Sequence, residues 1–197
     1  MRMITGIFLL ACAPAWSQTL SRSERDYAMS QLHATRKLFL DAIAGLSEGQ
    51  WRFKPSPERW SIAECAEHVA LTEDFLFGRV QQMLRTPAAP ERKSALEDPK
   101  VYEMGVDRSR KAQATEPAIL PKGRWALPEE VGAYFRQRRD RTIAYVESTQ
   151  DPLRAHFSDS TAEALDAYQM LIMLAAHTER HVAQIDEIKA DPKFPRR

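Results

Sequence analysis

The sequence predicts an all-α protein, a four-helix bundle with one long connection, and three observations support this prediction. Four segments repeat apolar residues at three- and four-residue spacing, the period of an amphipathic helix. No segment shows the alternating pattern of a half-buried strand. Only 7 of the 197 residues are glycine, which argues against a turn-rich β-architecture. With 44% hydrophobic residues, the chain can form one domain with a sizeable core.

The N-terminus has the three parts of a secretory signal peptide. Arg2 supplies a positive charge, residues 3–13 are almost entirely apolar, and Ala15-Trp16-Ser17 has the small residues of a cleavage site. The apolar stretch is too short to cross a membrane as a stable helix. We therefore expect cleavage near Ser17 and export of the mature protein, which would be periplasmic or secreted.

Cleavage would divide the chain into a signal peptide, residues 1–17, and one mature domain, residues 18–197, with no transmembrane segment. It would also remove Cys12, which leaves Cys65 alone and excludes an intramolecular disulfide. A competing interpretation is lipoprotein processing at Cys12, because Leu9-Leu10-Ala11-Cys12 loosely resembles a lipobox. Without a disulfide, the fold must depend on its core and on any metal that it binds.

The charge balance restricts the partners. The chain has 28 lysine and arginine residues and 27 aspartate and glutamate residues, which gives a formal net charge of +1. Proteins that bind nucleic acid or anionic membrane surfaces have a basic excess, and this sequence has none. We expect a small-molecule substrate or ligand and no nucleic acid.

The first helix is predicted from about residues 21–24 to Gly45. Its apolar face consists of Ala28, Leu32, Thr35, Phe39, Ala42 and Leu46, widened by Leu38 and Ile43. A short turn at residues 47–50 is expected to follow, because Ser, Glu, Gly and Gln stand there together.

The second helix has the clearest start in the sequence. Ser61 and Glu64 have the spacing of a capping box, in which each side chain accepts the backbone N–H of the other residue. Trp60 and Cys65 occupy the two positions of a hydrophobic staple, and the helix should end near Arg85. Its apolar face consists of Ile62, Cys65, Val69, Thr72, Leu76 and Val80.

Residues 86–127 form the long connection between the second and third helices. Five prolines interrupt this polar stretch, and only residues 101–107 suggest about one helical turn. A connection of this length inside a compact domain is usually functional or disordered. Two interpretations remain open, a solvated crossover between helices and a lid over a site.

The third helix begins with Pro128 at its first position, followed by two glutamates that suit the positive end of the helix dipole. The residues predicted to face inward are Val131, Tyr134, Phe135, Thr142, Tyr145 and Val146. A basic run is predicted to form a solvated face and consists of Arg136, Arg138, Arg139 and Arg141.

The fourth helix is predicted to begin at Ser160, with Glu163 in capping-box spacing, and to run to about Ala190. Its core face consists of Ala164, Tyr168, Leu171, Ala175, Thr178, Val182 and Ile185. This is the longest amphipathic segment of the chain, and it carries the residues of greatest chemical interest.

Three histidines could form a metal site. His177 and His181 are four residues apart on the fourth helix, so their side chains project from one face. His68 lies beside the apolar face of the second helix, and bundles build metal sites from side chains on facing helices. Three histidines with a fourth position open to water is a catalytic arrangement for zinc.

Each histidine has a simpler interpretation on its own. His68 could be a hydrogen-bonded core residue, and the His177–His181 pair could lie on the helix surface. The HExxH motif of zinc proteases is absent, because Thr178 follows His177. His33 and His156 are predicted to be solvent-exposed or capping residues.

The sequence resembles the DinB-like family of metal-binding four-helix bundles. The resemblance rests on Trp60-Ser61-Ile62-Ala63-Glu64 followed by His68, and on His177-x-x-x-His181-x-x-Gln184, and it extends over the mature chain. It implies that His68, His177 and His181 bind a divalent cation, commonly zinc or nickel. It also allows a homodimer, because dimers are common among similar bundles.

The resemblance implies a metal-dependent enzyme of unknown substrate. The metal could activate water in a hydrolase or a low-molecular-weight thiol in a transferase. Export would separate the protein from the cytosolic thiols that the transferases use. The alternative is a non-catalytic bundle that binds a metal or a small ligand, in which a fourth protein ligand should close the metal site.

Three further residues have two interpretations each. Glu64 is explained by the capping box, with a catalytic carboxylate as the alternative. Gln184 could orient a metal ligand or simply lie at the rim of the bundle. Cys65 is expected to be a buried staple residue, since a reactive thiolate would need a strongly lowered pKa.

Overall fold

The computed structural model describes residues 19–109, 114–159 and 164–196. The α-helices are α1 (Arg22–Ile43), α2 (Glu48–Arg52), α3 (Ile62–Met83), α4 (Asp98–Val106), α5 (Pro128–Ser148) and α6 (Ala167–Lys189), and 3-10 turns occupy Pro117–Ile119 and Leu153–Ala155. The described residues contain no strand, only an isolated bridge between Phe157 and Asp166. The predicted all-α fold is therefore confirmed. The predicted signal peptide and Cys12 lie outside the described residues.

The four long helices α1, α3, α5 and α6 form the bundle. Helix α6 packs against α1 and α3, and α5 packs against the same two helices. Because α5 and α6 each lie between α1 and α3, the helices α1 and α3 occupy diagonally opposite corners of the bundle, although they are consecutive long helices in the chain. The short helix α4 packs on the outside of α6. No helix in the described ranges combines the length and the apolar character that a membrane crossing requires.

The helix starts follow local capping chemistry. The predicted capping box of Ser61 and Glu64 is present at the start of α3, and Ser21 and Glu24 form another at the start of α1. A third box, between Ser47 and Gln50, starts α2 where we predicted a turn. The short helix is stable there because its donors are satisfied and Trp51 is buried against the bundle.

The predicted start of the last long helix is wrong. Residues 160–163 lie outside the described residues, but Ala164 and Leu165 are not helical, and α6 begins at Ala167. Asp166 caps the helix by accepting the backbone N–H of Gln169 at 2.8 Å. The chain before Asp166 instead pairs with the segment after the second 3-10 turn, where the Ser158 N–H donates to the Leu165 carbonyl.

The connection between α3 and α5 has more helix than predicted. Helix α4 has 9 residues and packs closely on α6 through Gly105. A Cβ atom at Gly105 would lie 2.5 Å from Cβ of Ala176 and 3.1 Å from Sδ of Met173. Because Gly105 has no side chain, α4 can lie directly against α6. The point of contact on α6 is Ala176, the residue before His177.

We expect the Gly105→Ala variant to be less stable by about 1–3 kcal/mol, because the added methyl group overpacks the contact between α4 and α6. Gly78→Ala is the matched control, since Gly78 lies within α3 and a Cβ atom added there would meet no neighbouring atom within 4 Å. Alanine there should stabilise the helix by about 0.5–1 kcal/mol. Urea unfolding measures both effects. Equal stability of Gly105→Ala and the parent would contradict the close contact.

The basic run of α5 is only partly a solvated face. Arg136 and Arg141 are exposed, and Arg138 is half-buried. Arg138 and Arg141 both form ion pairs with Asp74 on α3. Arg139 is 0% exposed, so its predicted place on the solvated face is wrong. One residue of the run turns inward because its charge has a partner inside the bundle.

The buried guanidinium of Arg139 joins all four long helices. Its Nε and Nη2 atoms donate to the carboxylate of Glu73 on α3 at 2.9 and 2.8 Å. Its Nη1 donates to the Leu32 carbonyl and the Thr35 hydroxyl on α1, at 2.9 and 2.7 Å. Nη2 also donates to the Thr178 hydroxyl on α6 at 2.8 Å. Both charges of this buried pair therefore have hydrogen-bonding partners, which such burial requires.

Candidate metal centre

The structure brings the three predicted histidines together. His68 comes from α3, His177 and His181 come from α6, and one ring nitrogen of each lies within 4.8 Å of the others. The Nε2 atoms of His68 and His177 are 3.2 Å apart. Two nitrogens that share a tetrahedral zinc at ~2.0–2.1 Å are about 3.3 Å apart, so this spacing suits a common metal.

Hydrogen bonds fix the orientation of two of the rings. The Nδ1–H of His68 donates to the Ile119 carbonyl at 2.8 Å, and the Nδ1–H of His181 donates to Oε1 of Gln184 at 2.9 Å. These bonds leave the Nε2 lone pairs of both rings available to a metal. Such partners around a ligating histidine raise its basicity and set its tautomer. This contact agrees with the interpretation that Gln184 orients a metal ligand, in this case His181.

All three imidazoles are held in the neutral form that binds metals. Burial lowers the pKa of His68 below its usual value and lowers that of His181 to about 3. Burial, followed by the nearby His181 and His68, lowers the pKa of His177 well below its usual value. Metal binding at neutral pH therefore does not have to displace protons from these rings.

A cavity of about 780 Å³ opens beside the three histidines. Within the described ranges, the cluster contains no fourth histidine, cysteine or carboxylate, and all three histidines line this cavity. The ring of Trp60 forms part of the wall, with its centroid 5.0 Å from that of His68 and 6.2 Å from that of His181. We predicted only a staple role for Trp60, and the histidine contacts were missed.

Described residues of the long connection line this site, which favours the lid interpretation over a solvated crossover. Ile119 and Leu120 line the cavity, and the Ile119 carbonyl holds His68. The buried carboxylate of Glu67 anchors the segment that follows by accepting the backbone N–H groups of Lys122, Gly123 and Arg124 at 2.8, 2.8 and 3.1 Å. The guanidinium of Arg124 also donates to Glu67 at 2.6 Å.

We expect Glu67→Gln to weaken metal binding by about tenfold, because the neutral amide no longer anchors the segment that orients His68. Glu64→Gln is the matched control, since Glu64 also accepts a backbone N–H, that of Ser61, and its other hydrogen-bonding partner is Lys54 before the helix. Competition with a chromophoric chelator measures the affinity, and circular dichroism confirms folding. Unchanged affinity in Glu67→Gln, or an equal loss in Glu64→Gln, would exclude this role.

The remaining candidates have structural explanations. Glu64 accepts the Ser61 N–H at 2.7 Å and the Lys54 ammonium at 3.1 Å, which agrees with the capping interpretation. Cys65 is 0% exposed, and burial raises the pKa of its thiol to about 12, so it is not a thiolate.

The other two histidines differ from each other. His33 is exposed, as predicted. His156 is buried, so the prediction that it is exposed is wrong. The alternative prediction, a capping residue, is confirmed, because His156 occupies the C-cap position of the second 3-10 turn. Its carbonyl accepts the N–H of Ala167 at 2.9 Å, which ties the turn to the start of α6.

Comparisons with known proteins agree with this geometry. A family model of the DinB superfamily matches residues 31–185. No curated protein matches the sequence. Among solved structures, the chain is similar to YfiT from Bacillus subtilis, with 14% identity, a TM-score of 0.58 and coverage of 87% of this chain and 89% of YfiT. YfiT is described as a probable metal-dependent hydrolase with an unusual four-helix bundle topology. This likeness confirms the fold, the four-helix bundle.

Proposed function

We propose that this chain, which belongs to the DinB superfamily, is a metal-dependent enzyme that converts a small molecule at the site formed by His68, His177 and His181. The observation that carries the proposal is the open side of the three-histidine cluster, which faces a cavity of about 780 Å³. A purely structural metal site would be closed by a fourth protein ligand.

The donor atoms suit a divalent cation such as zinc or nickel. Three neutral imidazoles are borderline ligands that favour these metals over calcium or magnesium. When bound, such a cation would lower the pKa of a coordinated water or thiol and supply a nucleophile at neutral pH.

The chain's own residues prepare the site for this chemistry. Ile119 and Gln184 keep the rings of His68 and His181 in position, so the site needs little rearrangement when a ligand arrives. Trp60 and the lid residue Leu120 supply apolar walls that exclude water around a substrate.

We propose hydrolysis ahead of thiol transfer. YfiT, described as a probable metal-dependent hydrolase, shares the fold, and the predicted export would remove the chain from cytosolic thiols. The non-catalytic alternative is a bundle that only binds metal or a small ligand. The open cavity argues against a closed, purely structural metal site, and the turnover assays below distinguish catalysis from binding of a small ligand.

Metal-dependent turnover tests the proposed function. Protein stripped by a chelator and then reloaded with zinc or nickel is assayed with panels of carboxylic esters, amides and phosphate esters. A second assay supplies electrophiles with low-molecular-weight thiols. We expect hydrolysis that disappears with the chelator, returns with metal and is lost in His177→Ala. Stoichiometric metal without turnover in either assay would support the non-catalytic alternative.

Export of the chain and its dimerisation remain proposals with simple tests. Mass spectrometry of the mature N-terminus from the native host should find a chain that begins near Gln18, and a chain that begins at Met1 would exclude cleavage. Light scattering after size-exclusion chromatography measures the oligomeric state, and a monomer would exclude the homodimer.

A further inference from the structure

We propose that the cavity beside the three histidines binds its substrate through a carboxylate or phosphate group, with Arg180 as the main partner. The inference rests on the proposed function, because it names the class of substrate for the same site. It comes from the charges that line the cavity and from their position relative to the histidines.

Three arginines from different parts of the chain line the cavity, namely Arg59 before α3, Arg108 after α4 and Arg180 on α6. Arg108 donates through Nε and Nη2 to the carboxylate of Glu187 at 2.7 and 2.8 Å. Arg59 donates to the same carboxylate at 3.2 Å. A single glutamate therefore orients two guanidinium groups at the mouth of the site.

The lining of the cavity carries more arginines than carboxylates. Glu187 is shared by two arginines, Arg59 and Arg108. Glu58 also lines the cavity and is exposed, as is the neighbouring Arg59. The lining therefore holds three guanidinium groups and two carboxylates, those of Glu58 and Glu187, and the neutral imidazoles would leave the charge of a divalent cation uncompensated. Such a wall favours an anionic ligand.

The position of Arg180 suits a substrate that reaches the histidines. Arg180 lies three residues after His177 on α6, so both project from the same face of the helix and line the same cavity. Guanidinium groups bind carboxylate and phosphate with two parallel hydrogen bonds. Trp60 and Leu120 also line the cavity, and their apolar side chains would contact the uncharged part of the substrate.

Binding of simple oxyanions tests the proposal. Inorganic phosphate and succinate are titrated separately by calorimetry into the zinc-loaded and the metal-free parent, into Arg180→Gln and into Arg136→Gln. Arg136 is an exposed arginine on α5 and is the matched control. Metal content is measured in every sample, so that failure of the metal site is seen independently of failure of anion binding.

We expect at least one of the two anions to bind the parent and to bind Arg180→Gln about tenfold or more weakly, with unchanged affinity in Arg136→Gln and unchanged zinc content. The anion that binds more tightly identifies phosphate or carboxylate as the group recognised. Equal binding by Arg180→Gln and the parent, or no binding of either anion to the zinc-loaded parent, would overturn the proposal. Anion binding to a parent that takes up no metal would overturn the proposed function but support the anion site.

Discussion

The Arg139→Met variant is expected to lose about 3–5 kcal/mol of stability, because it leaves the carboxylate of Glu73 buried without its charge partner. Glu73 is 2% exposed, and after the substitution its remaining side-chain donor is the Thr142 hydroxyl at 2.9 Å. The hydroxyl groups of Thr35 and Thr178 would lose a hydrogen-bonding partner as well. Chemical denaturation of the variant and the parent measures the difference in the free energy of unfolding.

Two controls separate the buried charge from the general effect of removing an arginine. Arg141→Met removes an exposed arginine of the same helix, which pairs with Asp74 on α3, and should cost at most about 1 kcal/mol. The double variant Arg139→Met/Glu73→Leu removes both buried charges and should recover most of the lost stability. A loss below about 1 kcal/mol in Arg139→Met, or no recovery in the double variant, would contradict the central role of this ion pair.

Replacing any one of His68, His177 and His181 by alanine is expected to weaken zinc binding by about a hundredfold to a thousandfold. Four-ligand zinc sites contribute ~10–16 kcal/mol, so one ligand supplies about 2.5–4 kcal/mol. Since all three rings are held neutral by their surroundings, each should contribute to binding at neutral pH. Chelator competition at a fixed pH gives the affinities.

His33→Ala is the matched control for these variants, because His33 is an exposed histidine of α1 outside the cluster. Its affinity for zinc should equal that of the parent. If one of the three site variants retained parental affinity, that histidine would not be a ligand. If all three did so, the metal would bind elsewhere in the chain.

Local chemistry made much of this fold and site predictable. The capping box of Ser61 and Glu64 uses residues three positions apart, so the start of α3 follows from the sequence alone. The same short-range logic places His177 and His181 on one face of a helix. His68 could be added because the apolar period of its helix placed it beside the core.

Features that depend on distant parts of the chain were not predictable in the same way. Glu67 and Ile119 act on the site only because the long connection folds back over α3, and no local pattern specifies that return. Arg139 stands in a basic run that is typical of a solvated face. Its partner Glu73 is 66 residues away, so the buried ion pair is a product of helix packing.

Anomalous diffraction from crystals of the zinc-loaded protein, recorded on both sides of the zinc absorption edge, tests the three-histidine centre most directly. We expect one strong peak at a position about 2.0–2.1 Å from a ring nitrogen of His68, His177 and His181, on the side that faces the cavity. A peak bound by other residues, or no peak at these three histidines in crystals that contain zinc, would contradict the assignment.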